Sequence, residues 1–508
     1  MIMLRETKTE NGLVKGLAAT DARITVYKGI PFAAPPVGDL RWAPPTPAAN
    51  WEGVRECFEY GPISMQRTPG QDPNAFYSKE WHVDPEVSMS EDSLYLNIWT
   101  PAKKAVEKLP VTVWIFGGVL QEGYPYEMEF DGERIASRGV VLVQVGYRLN
   151  AFGLLAHPEI TAEHPEAPAN FAFQDQAYGI NWVKRNIANF GGDPGNITVF
   201  GQSAGGMSVL AQMCSPKNKG LFQKGIIESI GGMVPVYPIN RSMPCVTLEQ
   251  QEADGKRFFE MLGVKTLAEA RKLDAQFIED TFNKERAFFW GAVVDGQFLT
   301  KTLNESILAN EINDVDFMIG NTKDEFLIQA GSCDPDEVNA WIDKMFGDKA
   351  EEYKAIVAKI PGCKKAASTV HQMTMGNWMM DEVCAAQGRK FYAYEFGPSM
   401  PGDDAGVFHS SDLWFEFETL MKCWRPFDGH HFDLARRMCN YWTNFAKNGD
   451  PNGNDSDGTP MPEWTPYTKE TPYIIHFYDE IELCKDPYAA EKDKFLLDAN
   501  LEAVGFKK

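Results

Sequence analysis

The stretch Ile197-Thr198-Val199-Phe200-Gly201-Gln202-Ser203-Ala204-Gly205-Gly206 constrains this chain more than any other. Its first four residues, β-branched and aromatic, read as a buried strand. A Gly-x-Ser-x-Gly turn follows, and Met207, Val209, Leu210 and Met213 then recur at helical spacing. A serine at such a corner has a physical reason to be reactive. The tight turn lifts its hydroxyl above the sheet edge, and the glycines two positions to either side permit close backbone approach. The helix that begins there directs its N-terminal amides at any negative charge forming on a bound molecule.

The rest of the chain supplies more strands and helices in alternation. Segments 94–99, 111–115 and 140–147 are strand candidates, and the last two lack polar alternation, as central strands do. Segment 173–190 reads as an amphipathic helix with Ala177, Ile180, Val183 and Ile187 on one face. Segments 225–228, 316–320 and 391–396 read as further strands. Segments 248–262 and 433–447 read as helices, the second ended by Asn448-Gly449-Asp450-Pro451. This alternation predicts an α/β fold with a largely parallel central sheet and helices on both faces. Length alone, 508 residues, suggests two to four domains, but large α/β enzymes often build one continuous sheet, and we expect a single domain over 1–508. The Pro-rich crossing 34–45 is too short and aromatic for a flexible linker and reads as a rigid surface loop. Residues 66–90 lack clear periodicity and read as a long loop over the site.

Charge narrows the partners. Lys and Arg number 49 against 71 Asp and Glu, a net charge of −22, which argues against nucleic acid or an anionic membrane as the main partner. No apolar run approaches the length of a membrane span, and the N-terminus turns charged without an apolar signal core. The nine cysteines are odd in number and scattered without a CxxC pair, which predicts neither a disulfide framework nor a structural zinc site and favours a reducing cytoplasm.

A serine hydroxyl is a weak nucleophile at neutral pH. It needs a histidine to take its proton and a carboxylate to orient that histidine. On doubly wound sheets of this kind the order is serine, acid, histidine, each at the C-terminal end of a later strand. The strand 316–320 runs into Asn321-Thr322-Lys323-Asp324-Glu325, so Asp324 or Glu325 is the acid. Of eight histidines, His82, His157 and His164 precede the serine, His371 lies in an apolar, Met-rich stretch, His430 and His431 flank a helix start, and His476 alternates within a strand-like run. His409 follows the strand 391–396 after a Gly- and Asp-rich loop, where the order places the base. Segment 111–119 is a strand running into a glycine turn, so the amides of Gly118, Val119 and Ala204 are the expected oxyanion donors.

With these residues assembled, the chain resembles the type-B carboxylesterase/cholinesterase family, closest in style to its bacterial para-nitrobenzyl-esterase-like members. Tyr27-Lys28-Gly29-Ile30-Pro31-Phe32 with Pro35-Pro36-Val37-Gly38 and Leu40-Arg41-Trp42 is similar to the family's N-terminal signature, and Glu91-Asp92-Ser93-Leu94-Tyr95-Leu96-Asn97 to its second. Asn189-Phe190-Gly191-Gly192-Asp193-Pro194, Val294-Asp295-Gly296 and Tyr441-Trp442-Thr443-Asn444-Phe445 with Gly449-Asp450-Pro451 look like further landmarks. The resemblance implies an α/β-hydrolase fold with a mixed central sheet and a deep pocket. It implies Ser203 as nucleophile, His409 as general base and Glu325, rather than Asp324, as the acid, with a structural pairing of Arg41 and Glu91. It implies a small-molecule ester as substrate, with no cofactor and no metal.

The chain departs from the family in four places. Val119 stands where a third glycine is usual, and Gln202 where glutamate commonly precedes the serine. Ser64 and Ser93 replace a cysteine pair, and Cys245 faces Val264 where a partner is expected. Losing both halves of a disulfide suits reducing conditions. Val119 keeps its backbone N–H, but its β-branched side chain resists positive φ and occupies space beside the acyl group. Trp114, Phe116, Phe289, Trp290, Trp414 and Phe415 are candidates for an apolar pocket, with Gln202 beside the serine. Two readings compete with a general serine carboxylesterase: a feruloyl or other plant-polymer esterase on the same scaffold, and a weakly active or non-catalytic binding homologue.

Overall fold

The computed structural model describes residues 3–70, 72, 74–81, 86–237, 245–285, 288, 290–326, 334–360 and 370–507. Eleven strands form one sheet. Across it the order runs Ile481–Cys484, Ile474–Phe477, Tyr392–Phe396, Asp316–Thr322, Lys224–Glu228, Gly192–Gln202, Leu109–Ile115, Val141–Val145, Tyr95–Thr100, Thr25–Pro31 and Leu17–Ala18. The middle of the sheet, from Ile474–Phe477 to Val141–Val145, is parallel throughout. Both edges are antiparallel. The sheet is therefore mostly parallel, as the alternation of elements implied, and mixed, as the family resemblance implied.

The central strands are apolar because both faces are covered. Val141–Val145 and Lys224–Glu228 are buried along their whole length. Helix Ala204–Cys214 packs on Gly192–Gln202 and Lys224–Glu228, while helix Gly429–Asn448 packs on Leu109–Ile115 and Gly192–Gln202. Helix Phe171–Asn186 is fastened by a buried ion pair: Arg148 donates from Nε and from a terminal nitrogen to the two oxygens of Asp175, both at 2.7 Å. Removing either partner would strand a buried charge, so this pair fixes the loop after Val141–Val145 against the helix. Arg41 and Glu91 are likewise joined, by two contacts of 2.6 Å, and Arg41 also donates to the carbonyl of Leu273 at 2.8 Å. The long segment 66–90 is not all loop. It contains the helix Phe76–Trp81, six residues, too short for its periodicity to stand out.

Strand order is what assembles a site. Gly192–Gln202, Asp316–Thr322 and Tyr392–Phe396 all deliver their C-terminal ends to the same side, and the first two are separated by one strand, a gap of about 10 Å at ordinary strand spacing. A side chain following the third strand has to bridge that gap.

Candidate active site

Ser203 stands between the strand Gly192–Gln202 and the helix Ala204–Cys214, at φ 57° and ψ −127°. A non-glycine residue there is strained by about 1–3 kcal/mol, so the surroundings must hold it. Its amide donates to the carbonyl of Glu228 at 2.8 Å. The neighbouring glycines are demanded by packing. A Cβ on Gly201 would lie 2.5 Å from the carbonyl oxygen of Ile115, and one on Gly205 would lie 2.0 Å from the same atom. The serine turn thus sits directly against the end of the strand Leu109–Ile115.

His409 bridges Ser203 and Glu325. Ser203 Oγ donates to His409 Nε2 at 2.9 Å, and His409 Nδ1 donates to Glu325 Oε2. The backbones are tied as well: the His409 amide donates to the carbonyl of Glu325 at 3.1 Å. The second oxygen of Glu325 accepts the Thr322 amide at 3.0 Å. Asp324 points elsewhere and accepts the Val407 amide at 2.9 Å, bracing the loop that carries the histidine. Gln202 Nε2 lies 3.4 Å from His409 Nε2, beside the serine hydroxyl.

Four buried carboxyls of the described residues cluster here, and their surroundings push them in different directions. Burial pushes Glu325 up, but the charge and hydrogen bond of His409, with the charge of His371, outweigh it and hold the carboxyl below its ordinary value. Burial pushes Glu228, Asp412 and Glu416 above theirs, with their mutual repulsion adding to the effect for Asp412 and Glu416. All three therefore ionise less readily beside Glu325 than free carboxyls would. Trp442 Nε1 donates to Glu228 at 2.7 Å. The sequence reading missed this group, since a carboxylate in a mixed polar segment carries no signal of its burial.

The glycine turn faces the serine. A Cβ on Gly117 would fall 2.7 Å from the Gln202 carbonyl oxygen, and one on Gly118, at φ 96°, 2.0 Å from the Glu122 carbonyl oxygen. Val119 follows at φ 52° and Leu120 at φ 60°. The β-branched residue therefore does occupy the left-handed region it resists. Ala204 is the first residue of its helix, where an amide has no intrahelical acceptor. Gly117, Gly118, Val119, Ser203 and His409 all border a single cavity of about 880 Å³.

Phe116 and Gln202 line that cavity. Trp290 and Trp414 do not, and the expectation for them is corrected. Trp290 is held in an aromatic cluster with Phe258, Phe282 and Phe288, with ring centroids 5.1–5.6 Å away. Trp414 is wholly buried behind Trp81, 5.8 Å off, and it is Trp81 that reaches the cavity. Trp114 packs with Phe130, Phe200 and Phe417, and Phe415 with Phe396 and Phe427. Phe289 lies outside the described residues. Large aromatics near a motif are more often core, because they bury the most apolar area. The walls the sequence did not reveal come from the helix Phe76–Trp81. Tyr77 donates its hydroxyl to the His409 carbonyl at 3.3 Å, and Phe76 meets Phe408 edge to face at 4.9 Å.

Comparison with known proteins agrees with this architecture. The model of the carboxylesterase family matches residues 4–359 and 358–496. The para-nitrobenzyl esterase of Bacillus subtilis (strain 168) is 30% identical over 512 residues, covering 96% of this chain and 97% of that protein. The fumonisin B1 esterase of Sphingopyxis macrogoltabida is 28% identical, over 87% and 82% of the two chains. Among solved structures, a carboxylesterase of Geobacillus stearothermophilus superposes with a TM-score of 0.80 at 29% identity, over 97% of this chain and 100% of that one. A PNB esterase gives 0.78 at 28%, over 97% and 99%. The chain therefore belongs to the carboxylesterase family, is built on the α/β-hydrolase fold, and is an esterase.

Proposed function

We propose that the protein cleaves small carboxylic esters through an acyl-enzyme on Ser203, with His409 as general base and Glu325 as its orienting acid. The continuous line of contacts from Ser203 Oγ through both nitrogens of His409 to Glu325 carries this reading. With Nδ1–H directed at Glu325, the Nε2 lone pair is free to take the serine proton as Oγ attacks the ester carbonyl. The charged Glu325 stabilises the imidazolium that results. The oxyanion receives the amides of Gly118, Val119 and Ala204. Collapse expels the alcohol, which takes its proton from His409 Nε2. Water then repeats the sequence on the acyl group and frees Ser203. No step calls on a metal or cofactor.

The same reading takes residues 1–508 as one domain, supported by a single sheet that draws strands from Leu17 to Cys484. It places the protein in a reducing cytoplasm, supported by seven free cysteines among the described residues. A panel of p-nitrophenyl and hydroxycinnamoyl esters tests the activity, with Ser203→Ala as control. Turnover should fall roughly 10³-fold or more in the variant. Equal rates in the two proteins would overturn the mechanism, and a preference for hydroxycinnamoyl esters would assign a plant-polymer esterase.

A further inference from the structure

The cavity in front of Ser203 is acidic. Asp72, Glu122, Glu127 and Glu129 line it against a single arginine among the described residues, Arg67, which lies 3.7 Å from Glu122. Two of these carboxyls are sunk into the wall. Glu127 is 9% exposed, and its Oε1 accepts the Tyr124 amide at 2.9 Å. Glu129, on the short turn Met128–Phe130, is 0% exposed, and neither of its oxygens has a hydrogen-bond partner with a proton to give. The two carboxyls face one another within hydrogen-bonding reach. Two carboxylates cannot satisfy each other, because both only accept. The catalytic steps above use neither of them.

We infer that Glu127 and Glu129 form a recognition site for a protonated primary or secondary amine carried by the ester substrate, whose N–H groups supply the donors this pair lacks. The identity of the ligand as a substrate rests on the ester-hydrolase reading; the binding site itself does not. Burial pushes both carboxyls above their ordinary range; the charge of Glu127 adds to the rise of Glu129, while a hydrogen bond from Glu129 partly offsets the rise of Glu127, so the pair shares one proton and its remaining oxygens still lack donors. An entering ammonium takes that proton's place, and the proton leaves to water through the cavity. Phe116, Phe130 and Trp81, which border the same space, suit the hydrocarbon between amine and ester. A quaternary ammonium has no N–H to offer and fits the pair less well.

Calorimetric titration of the full-length Ser203→Ala protein with hexylammonium chloride and with hexan-1-ol tests the site without hydrolysis. The ammonium should bind at least tenfold more tightly than the alcohol, and Glu129→Gln in that background should remove roughly a tenfold share of the difference, as loss of a charge-assisted hydrogen bond does. Equal binding of the two probes, or a ratio unchanged in both Glu127→Gln and Glu129→Gln, would overturn the site. In the wild-type enzyme, p-nitrophenyl 6-aminohexanoate should be hydrolysed with a higher kcat/KM than p-nitrophenyl heptanoate; equal values would overturn the substrate role. Should neither ester turn over faster than in Ser203→Ala, the hydrolase reading and the substrate role fail together, and the calorimetric ratio alone decides the site.

Discussion

Two turns face each other across the cavity, and they meet the same steric demand with different residues. In the serine turn, glycine occupies the crowded positions, Gly201 and Gly205, and the one strained side chain is Ser203 itself. In the opposite turn, Gly117 and Gly118 occupy the crowded positions, but two further residues with side chains, Val119 and Leu120, also have positive φ. Their situations differ. Leu120 is wholly buried, and its carbonyl accepts the Asn150 amide at 2.7 Å, so packing and a hydrogen bond hold it. Val119 is 39% exposed and faces the cavity. Backbone strain is thus kept where the side chain is the proposed nucleophile, where the core anchors it, and at one position where the side chain borders the cavity.

The serine turn should tolerate the least. Gly205→Ala would drive a methyl group to 2.0 Å from the Ile115 carbonyl oxygen and 2.9 Å from that of Phe116, both backbone. Helix Ala204–Cys214 would have to lift off the strand Leu109–Ile115, taking the Ala204 amide away from the oxyanion position proposed for it. Turnover should drop by roughly 10²–10³, the effect of losing one such donor, with a lower Tm from overpacking. Steady-state rates on p-nitrophenyl butyrate with a melting curve check this; wild-type rates would mean that the two segments are less tightly keyed than the geometry requires.

The opposite turn should gain from the same kind of change made in reverse. Val119→Gly removes a β-branched side chain from the left-handed region, where an L-residue costs about 1–2 kcal/mol, and clears space beside the acyl group. We expect kcat/KM to rise by up to about tenfold on bulky acyl chains, the scale of a binding change of about 1.4 kcal/mol, and less on acetate. A side-by-side series of short and branched p-nitrophenyl esters decides it. No gain on any of them would place the valine outside the acyl site.

How far these features were legible in the sequence follows from their physical range. Ser203, His409 and the glycine turn could be found because each is tied to the end of a strand, and strands announce themselves through runs of apolar residues. The choice between Asp324 and Glu325 could not be made from local pattern. The two are adjacent, both follow the same strand, and only the third dimension shows one bracing Val407 and the other meeting His409. Trp414 misled because the helix Leu413–Glu416 is buried on every side, so no alternation reveals which face meets the cavity. Glu127 and Glu129 escaped for the opposite reason: nothing in the run Glu127-Met128-Glu129-Phe130-Asp131-Gly132 marks its carboxyls as buried.

The smallest expected effect probes the residue at the join of the two turns. Gln202 is 3% exposed, with its amide nitrogen 3.4 Å from His409 Nε2. Gln202→Glu would put a carboxyl there, and its behaviour depends on which of its buried neighbours it follows. Glu228, Asp412 and Glu416 meet no cation among the described residues and are pushed above their ordinary values by burial, whereas Glu325 meets the imidazole and is held below its ordinary value. A glutamate at 202 would reach the same ring, so it should follow Glu325 and carry charge. A second carboxylate beside His409 stabilises the imidazolium, and the imidazolium cannot accept the serine proton. The base is then lost at a higher pH, and the acidic limb of the kcat/KM profile should move upward by about one unit. A profile that stays in place would mean that the new carboxyl remains protonated, and that at this join burial outweighs the pull of the histidine.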